Sequence, residues 1–409
     1  MIINISVIGL GKLGLPLAVL LAKAGYDVFG IDLSSDRIKD ISNLNIEPEP
    51  KVREYLDEVL NRSLKVSSSF TDSIEFSEVS FLIVPTPSNQ EGKFINDFLE
   101  VAIEKIILNV KSKNHLICVV STVMPGTCDY FINDFIPSKL NNSDTTFQIA
   151  YSPEFVALGT VIDNMQTPDM VLIGANNEIT VKILEPILKS IIINAPEVKQ
   201  MSLASSELAK ISVNTFVTAK ISYANMIAEL AEKIPGANKH DILNALGADT
   251  RIGAKYLKAG LGFGGPCFPR DNKAFSIIGN SLNIDTELAK ATESINLRQP
   301  KITAERINSK FLSNNTELTV LGLSYKPGSF VTEESQAIML VKELSKKWAK
   351  IYVHDPLVND PSIFSEMDNV FYKDSISQIK NSELVVIAVN WSEYSDLIYS
   401  HHKEKMYFV

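Results

Sequence analysis

Near its amino end the chain reads IINISVIGLGKLGLPLAVLLAKAGYDVFGID, and no other stretch restricts its fold so tightly. IINISVIGL is a short apolar run rich in β-branched residues, LPLAVLLAKAGY has helical rather than alternating character, and the two meet at GLGKLG. Gly9, Gly11 and Gly14 stand at the positions of a G-x-G-x-x-G turn. The first permits the tight turn, the second lets a pyrophosphate approach the backbone, and the third lets helix and strand pack closely. Phosphate then sits at a helix N-terminus, where N–H groups and the helix dipole favour an anion. The next strand, YDVFGID, ends on Asp32, where a carboxylate can accept ribose hydroxyls. Its charge repels a 2′-phosphate, so NAD is expected rather than NADP, with Arg37 as a nearby cation of opposite tendency. Leu10, Lys12 and Leu13 lie within the same turn and are counted among the expected cofactor contacts.

The rhythm continues. VSFLIVPTPS and HLICVVSTVMPGT are apolar strands stopped by Thr/Pro/Gly loops, with helical segments between them. Strands alternating with helices imply a mostly parallel, doubly wound sheet whose ligands lie beyond the carboxyl ends of the strands. Around residue 200 the pattern changes to SLASSELAKISVNTFVTAKISYANMIAELAEKI, which has no internal Pro or Gly and spaces its apolar residues helically. Ser205 or Ser206 is the expected cap. Helical character continues to about residue 311, and so long a helix is expected at a dimer interface. ELTVLGLSYKPGS, KIYVHDPLV and SELVVIAVNWSEY then revive the opening rhythm, with Lys326 in a loop that lacks the glycine fingerprint. The expected fold is α/β: two Rossmann-like doubly wound domains joined by a central α-helical dimerisation domain. The expected boundaries are 1–198 for the NAD-binding domain, 199–312 for the helical domain and 313–409 for the C-terminal domain.

Charge and cysteine content narrow the setting. The 409 residues are 45% hydrophobic and 21% charged with a net charge of −9, and no dense Lys/Arg cluster occurs, so neither nucleic acid nor a membrane surface is an expected partner. Cys118, Cys128 and Cys267 are odd in number and lack CxxC spacing, which points to a reducing compartment rather than a disulfide framework or zinc. Among the histidines only His401 and His402 are adjacent, and no metal site is expected. MIINISVIGLGKLG carries no basic region before its apolar run, unlike a signal peptide, and a cytoplasmic protein is expected.

GFGGPCFPRD sets Cys267 directly after a glycine-rich turn and between two prolines. The thiol is either presented to a ligand or a small buried hydrophobe in a tight loop. Beside a nicotinamide cofactor, a presented thiol suggests more than alcohol oxidation. It can add to an aldehyde, and the thiohemiacetal so formed can be oxidised to a thioester that water hydrolyses to a carboxylate. Such a scheme needs cations or a base near the thiol and a carboxylate for the hydrolysis; Lys210, Arg270, Asp271 and Glu154 are the candidates.

GLGKLG, VPTP, STV, SPEF, ELAKISVN, RIG, GFGGPCFPRD and LGLSYKPG occur in an order and spacing that resemble the UDP-glucose/GDP-mannose dehydrogenase family, and most closely its UDP-glucose 6-dehydrogenases. The resemblance implies a UDP-sugar substrate, NAD as cofactor and a homodimer. It implies Cys267 as nucleophile, Asp271 as organiser of water and thiol, and Glu154 in proton transfer and thioester hydrolysis. Lys210 and Asn214, four apart on a helix, match the pair that stabilises the oxyanion and orders water, and Thr122 matches a residue near the reacting sugar and cofactor. Substrate contacts are implied for Phe155, Arg251 (reaching across the dimer), Lys258, Phe263, Gly264 and Lys326. Val84, Thr86 and Pro87 line the cofactor side by the same comparison. At Leu158, Val331 and Glu333 the chain departs from the family's charges, so no cofactor role carries over there, and Pro266 replaces the small residue usual before the cysteine. Phe155 and Phe268 stand where relatives acting on 2-acetamido sugars carry other residues, which favours a plain hexose. The alternatives are a GDP-mannose or UDP-2-acetamido-sugar dehydrogenase, a hydroxyacid dehydrogenase making one hydride transfer, and a non-catalytic relative.

Overall fold

The computed structural model describes residues 3–75, 77–140, 145–311, 317–376, 384–400 and 406–409. The adjacent histidines His401 and His402 and the boundary expected at 312–313 lie outside the described residues. The chain divides into two units, Met1–Ile211 and Ser212–Val409.

In the first unit the chain forms β1 (Asn4–Ile8), β2 (Asp27–Ile31), β3 (Leu64–Ser67), β4 (Val79–Leu82), β5 (Asn114–Val119), β6 (Thr146–Tyr151), β7 (Met170–Ala175) and β8 (Glu197–Met201). They make one sheet in the order β3-β2-β1-β4-β5-β6-β7-β8. Neighbours run parallel except β6 and β7, which are antiparallel. Alternate residues divide between the two faces, as a period of two requires. Ile5, Val7, Val28, Leu116 and Cys118 enter one apolar cluster, whereas Ile8, Ile31, Ile117 and Val119 enter another. The helix Gly14–Lys23 is buried from Gly14 to Ala22, and Leu15, Leu17, Leu20 and Leu21 each contribute roughly 2 kcal/mol by leaving water. It packs on Val52, Leu56 and Val59 of the helix Val52–Val59. From β1 the chain first adds β2 and β3 on one side and then crosses to β4 on the other. That reversal opens a crevice beyond the carboxyl ends of β1 and β4, where a doubly wound sheet binds its ligands. GLGKLG follows β1 and VPTP follows β4.

The helix Leu203–Lys233 runs for 31 residues, about 46 Å at the usual rise. Its cap is Ser202 rather than Ser205 or Ser206: the Ser205 amide donates to Ser202 Oγ at 3.3 Å. The helix begins a turn early because Leu203 and Ser206 are buried, and Ser206 fills the space beside Gly174, which has no Cβ to obstruct it.

The second unit contains the helices Lys239–Ala248, Phe268–Ser281 and Glu287–Phe311 and a sheet of β9 (Glu317–Leu321), β10 (Lys350–His354), β11 (Val370–Tyr372), β12 (Val385–Ile387) and β13 (Met406–Phe408). All its strand pairs are parallel, in the order β11-β10-β9-β12-β13, so it too is Rossmann-like, with its reversal between β9 and β12. Its first turn repeats that of the first unit. Gly322 has φ +88° and donates to the carbonyl of His354 at 2.8 Å, as Gly9, with φ +92°, donates to Ile31 at 2.8 Å. Asp355 Oδ2 accepts from the Leu323 amide at 2.7 Å, as Asp32 Oδ2 accepts from Leu10 at 2.9 Å.

Candidate active site

In the first unit, each glycine of GLGKLG has a separate reason. A Cβ on Gly9 would stand 2.2 Å from the Ile83 carbonyl oxygen, and one on Gly14 would stand 1.8 Å from that of Gly9. Nothing lies within 4 Å of the corresponding point on Gly11. The turn is therefore closed at its base and open where a pyrophosphate approaches, and the residues fit a bound dinucleotide. Lys12 is exposed and Leu13 half-buried at this rim. Asp32 holds the turn by accepting from the amides of Leu10 and, at 3.0 Å, Ser34. Arg37 Nε donates to the Leu10 carbonyl at 2.9 Å, and its Nη1 pairs with Glu47 Oε2 at 2.7 Å. Arg37 is thus tied to the turn through the Leu10 carbonyl, and it also engages Glu47, a carboxylate that sequence reasoning missed.

The loops after β4 and β5 are tied together. Thr86 Oγ1 donates to the Thr122 carbonyl and Ser121 Oγ to the Val84 carbonyl, both at 2.7 Å, so Val84, Thr86 and Thr122 converge while Pro87 stays exposed. Glu207, fully buried on the long helix, accepts from the amides of Gly126 at 2.6 Å and Cys128 at 2.7 Å and so fixes the loop that carries Thr122.

SPEFVALG follows β6. Lys210 Nζ donates to the main-chain carbonyl of Glu154 at 2.7 Å and lies 4.4 Å from the centre of the Phe155 ring. Burial pushes the Glu154 carboxyl up to about 7, against the opposing pull of the Lys210 charge. Such a carboxyl exchanges protons near neutrality. Glu49 holds the loop by accepting from the amides of Gly159 at 2.8 Å and Val161 at 2.9 Å. Leu158, where the chain departs from the family's charge, is partly buried and packs against the apolar core.

In the second unit, the glycines before Cys267 leave no room for side chains. A Cβ on Gly262 would stand 1.9 Å from Asn296 Oδ1, one on Gly264 would stand 2.3 Å from the Glu334 carbonyl oxygen, and one on Gly265, with φ +82°, would stand 2.7 Å from the Tyr325 ring. Asn296 grips both sides of Phe263, accepting from its amide at 2.7 Å and donating to its carbonyl at 3.0 Å. Glu333 is exposed and supplies its main-chain carbonyl to the Gly265 amide at 2.9 Å, while Val331 is buried and accepts from the Tyr325 amide at 3.0 Å. Through its main chain Glu333 thus braces the cysteine turn, while Val331 holds Tyr325, whose ring lies beside Gly265. Cys267 is exposed and stands at the N-cap of Phe268–Ser281. One turn on, Asp271 is buried and its Oδ2 accepts from Asn214 Nδ2 at 2.6 Å, with Arg270 Nε 3.6 Å from its Oδ1. The structure therefore brings Asn214 to Asp271 below the cysteine turn. Arg251 is exposed and paired with Asp249, Lys258 is exposed, and Lys326 lies 5.8 Å from the centre of the Tyr325 ring.

Comparison with known proteins bears on the fold and its domains. Residues 3–192 match the NAD binding domain of the UDP-glucose/GDP-mannose dehydrogenase family, residues 204–298 its central domain and residues 319–408 its UDP binding domain. A UDP-glucose 6-dehydrogenase of Rickettsia felis is 32% identical over 403 residues, covering 96% of this chain and 88% of the relative. The structure of a UDP-glucose dehydrogenase from Pyrobaculum islandicum superposes with a TM-score of 0.87 at 29% identity, covering 96% of this chain and 91% of that one. That of a UDP-D-ManNAc dehydrogenase from Pyrococcus horikoshii gives 0.84 at 26% identity, with 99% and 94% covered.

Proposed function

The chain belongs to the UDP-glucose/GDP-mannose dehydrogenase family, and from that premise we propose that it oxidises the C6 alcohol of UDP-glucose to the carboxylate of UDP-glucuronate through a covalent intermediate on Cys267. Membership makes it an NAD-dependent nucleotide-sugar dehydrogenase. The observation that carries the covalent reading is the contrast among the thiols. Burial pushes Cys118 and Cys128 far up and shuts them away from any ligand, whereas Cys267 is exposed at the N-cap of Phe268–Ser281, where a substrate can reach it.

Bound NAD would supply the hydride acceptor for each of the two oxidations. Cys267 Sγ adds to the aldehyde carbon to give a thiohemiacetal, whose oxidation leaves a thioester. Water then attacks that carbonyl, the C–S bond breaks, and the carboxylate departs as Cys267 is regenerated. Lys210 stabilises the developing oxyanion, Asn214 and Asp271 order the water and thiol, and ionised Glu154 accepts the proton that water releases. Thr122 borders the reacting sugar and cofactor; Phe155, Arg251, Lys258, Phe263, Gly264 and Lys326 contact the sugar nucleotide. The functional divisions follow 1–198, 199–312 and 313–409, except that the first extends past β8, which pairs with β7 through Met201. The protein acts in the cytoplasm as a homodimer, a reading supported by Phe216, Tyr223 and Leu230, which are exposed at seven-residue intervals on the long helix.

Two NADH per acid formed is the expected stoichiometry, and a ratio near one sinks the scheme. Cys267→Ser should abolish turnover while leaving NAD binding and melting temperature intact; substantial residual activity would show that the turn only shapes a loop. UDP-glucose is expected to be the best substrate in a panel containing GDP-mannose and UDP-2-acetamido sugars.

A further inference from the structure

Leu10 is held at both ends of its peptide environment: its N–H donates to Asp32, and its carbonyl accepts from Arg37 Nε. The guanidinium therefore stands at the same turn as the Asp32 carboxylate. Its side chain is 16% exposed, so it is largely fixed in place. A guanidinium so placed suits a phosphate, because its planar fork offers several donors to phosphate oxygens. Here part of that fork is already engaged, by the Leu10 carbonyl and by Glu47 at 2.7 Å. Glu47 also interacts with Lys12 of the glycine turn, so one carboxylate offsets two cations at this corner.

We propose that Glu47 is a specificity-determining residue for the cofactor: by occupying Arg37 it withholds from a 2′-phosphate the cation that would recognise it, and its own charge repels that phosphate. Asp32 is the legible half of NAD selection, and Glu47 is the other. The Glu47 carboxylate is 44% exposed, and an ion pair that open contributes little to stability, so its removal leaves the fold intact. Its effect falls on ligand choice, where the freed guanidinium gains a charge-assisted contact.

NAD and NADP affinities are to be measured by calorimetry on the full chain, with the cofactors alone, for the unaltered protein, Glu47→Gln, Arg37→Ala and the double variant. Binding of cofactor alone does not depend on the sugar chemistry proposed above, so the two readings fail separately. Glu47→Gln is expected to shift the ratio of NADP to NAD affinity toward NADP about tenfold, a shift that shrinks at high salt. In the Arg37→Ala background the same change should leave the ratio unaltered. An unchanged ratio in the single variant overturns the proposal, as does an equal rise in both backgrounds, which would make Glu47 a source of general repulsion only.

Discussion

At Glu154 the carboxyl is displaced to about 7 by burial, so it is still partly protonated at neutral pH. Between pH 6 and 8 the ionised fraction rises steeply, and if this carboxylate takes the proton from water, kcat should climb with pH through an apparent value near 7. Glu154→Gln should flatten that limb; an unchanged profile would assign the proton transfer elsewhere. The same displacement has a sign for stability. The folded chain binds this proton more tightly than the unfolded chain, so the contribution is present below the ordinary carboxylate value and is lost as pH rises through about 7. A sequence shows that SPEF carries an acid, but not how far the folded loop withdraws it from water, because that loop is held from far along the chain by Glu49. That support spans 110 and 112 positions. Glu207 was illegible for the same reason: a carboxylate on a helix looks like a solvated charge until the loop it holds is known.

Elements show which glycines serve the fold and which serve the ligand. Gly14→Ala forces a Cβ against main chain and is expected to cost about 2 kcal/mol, read as a lower denaturation midpoint. Gly11→Ala points into open space, so stability should be nearly unchanged while NAD affinity falls at least tenfold, about 1.4 kcal/mol. Equal losses from the two would remove the distinction. The spacing of GLGKLG made this turn readable because strand, turn and helix are contiguous. The start of the long helix was not, because Ser202, Ser205 and Ser206 are chemically alike and only the packing of Ser206 on Gly174 selects among them. On the same helix, Phe216, Tyr223 and Leu230 present an apolar stripe. If this stripe forms the proposed dimer interface, Phe216→Lys combined with Leu230→Lys should convert dimers of the unaltered protein to monomers in sedimentation, whereas a variant that stays dimeric would place the interface elsewhere.

Across the whole molecule, one backbone frame occurs twice. Gly9, Leu10 and Asp32 recur as Gly322, Leu323 and Asp355, with the acid following a second strand in each unit. The second acid differs in one respect: it is buried and also accepts from the amides of Ser324, Leu357 and Val358. Its hydrogen-bonding capacity is taken up by the fold. Asp32 is half-buried and holds fewer amides. Asp355→Asn should therefore lower stability by about 2 kcal/mol, seen as an earlier urea transition, with NAD affinity unaffected. Asp32→Asn should do the reverse, with a smaller stability loss and weakened NAD binding. The chain thus carries its own control experiment: whatever a latching carboxylate contributes as scaffold can be measured at Asp355, and what remains at Asp32 is the cofactor's share.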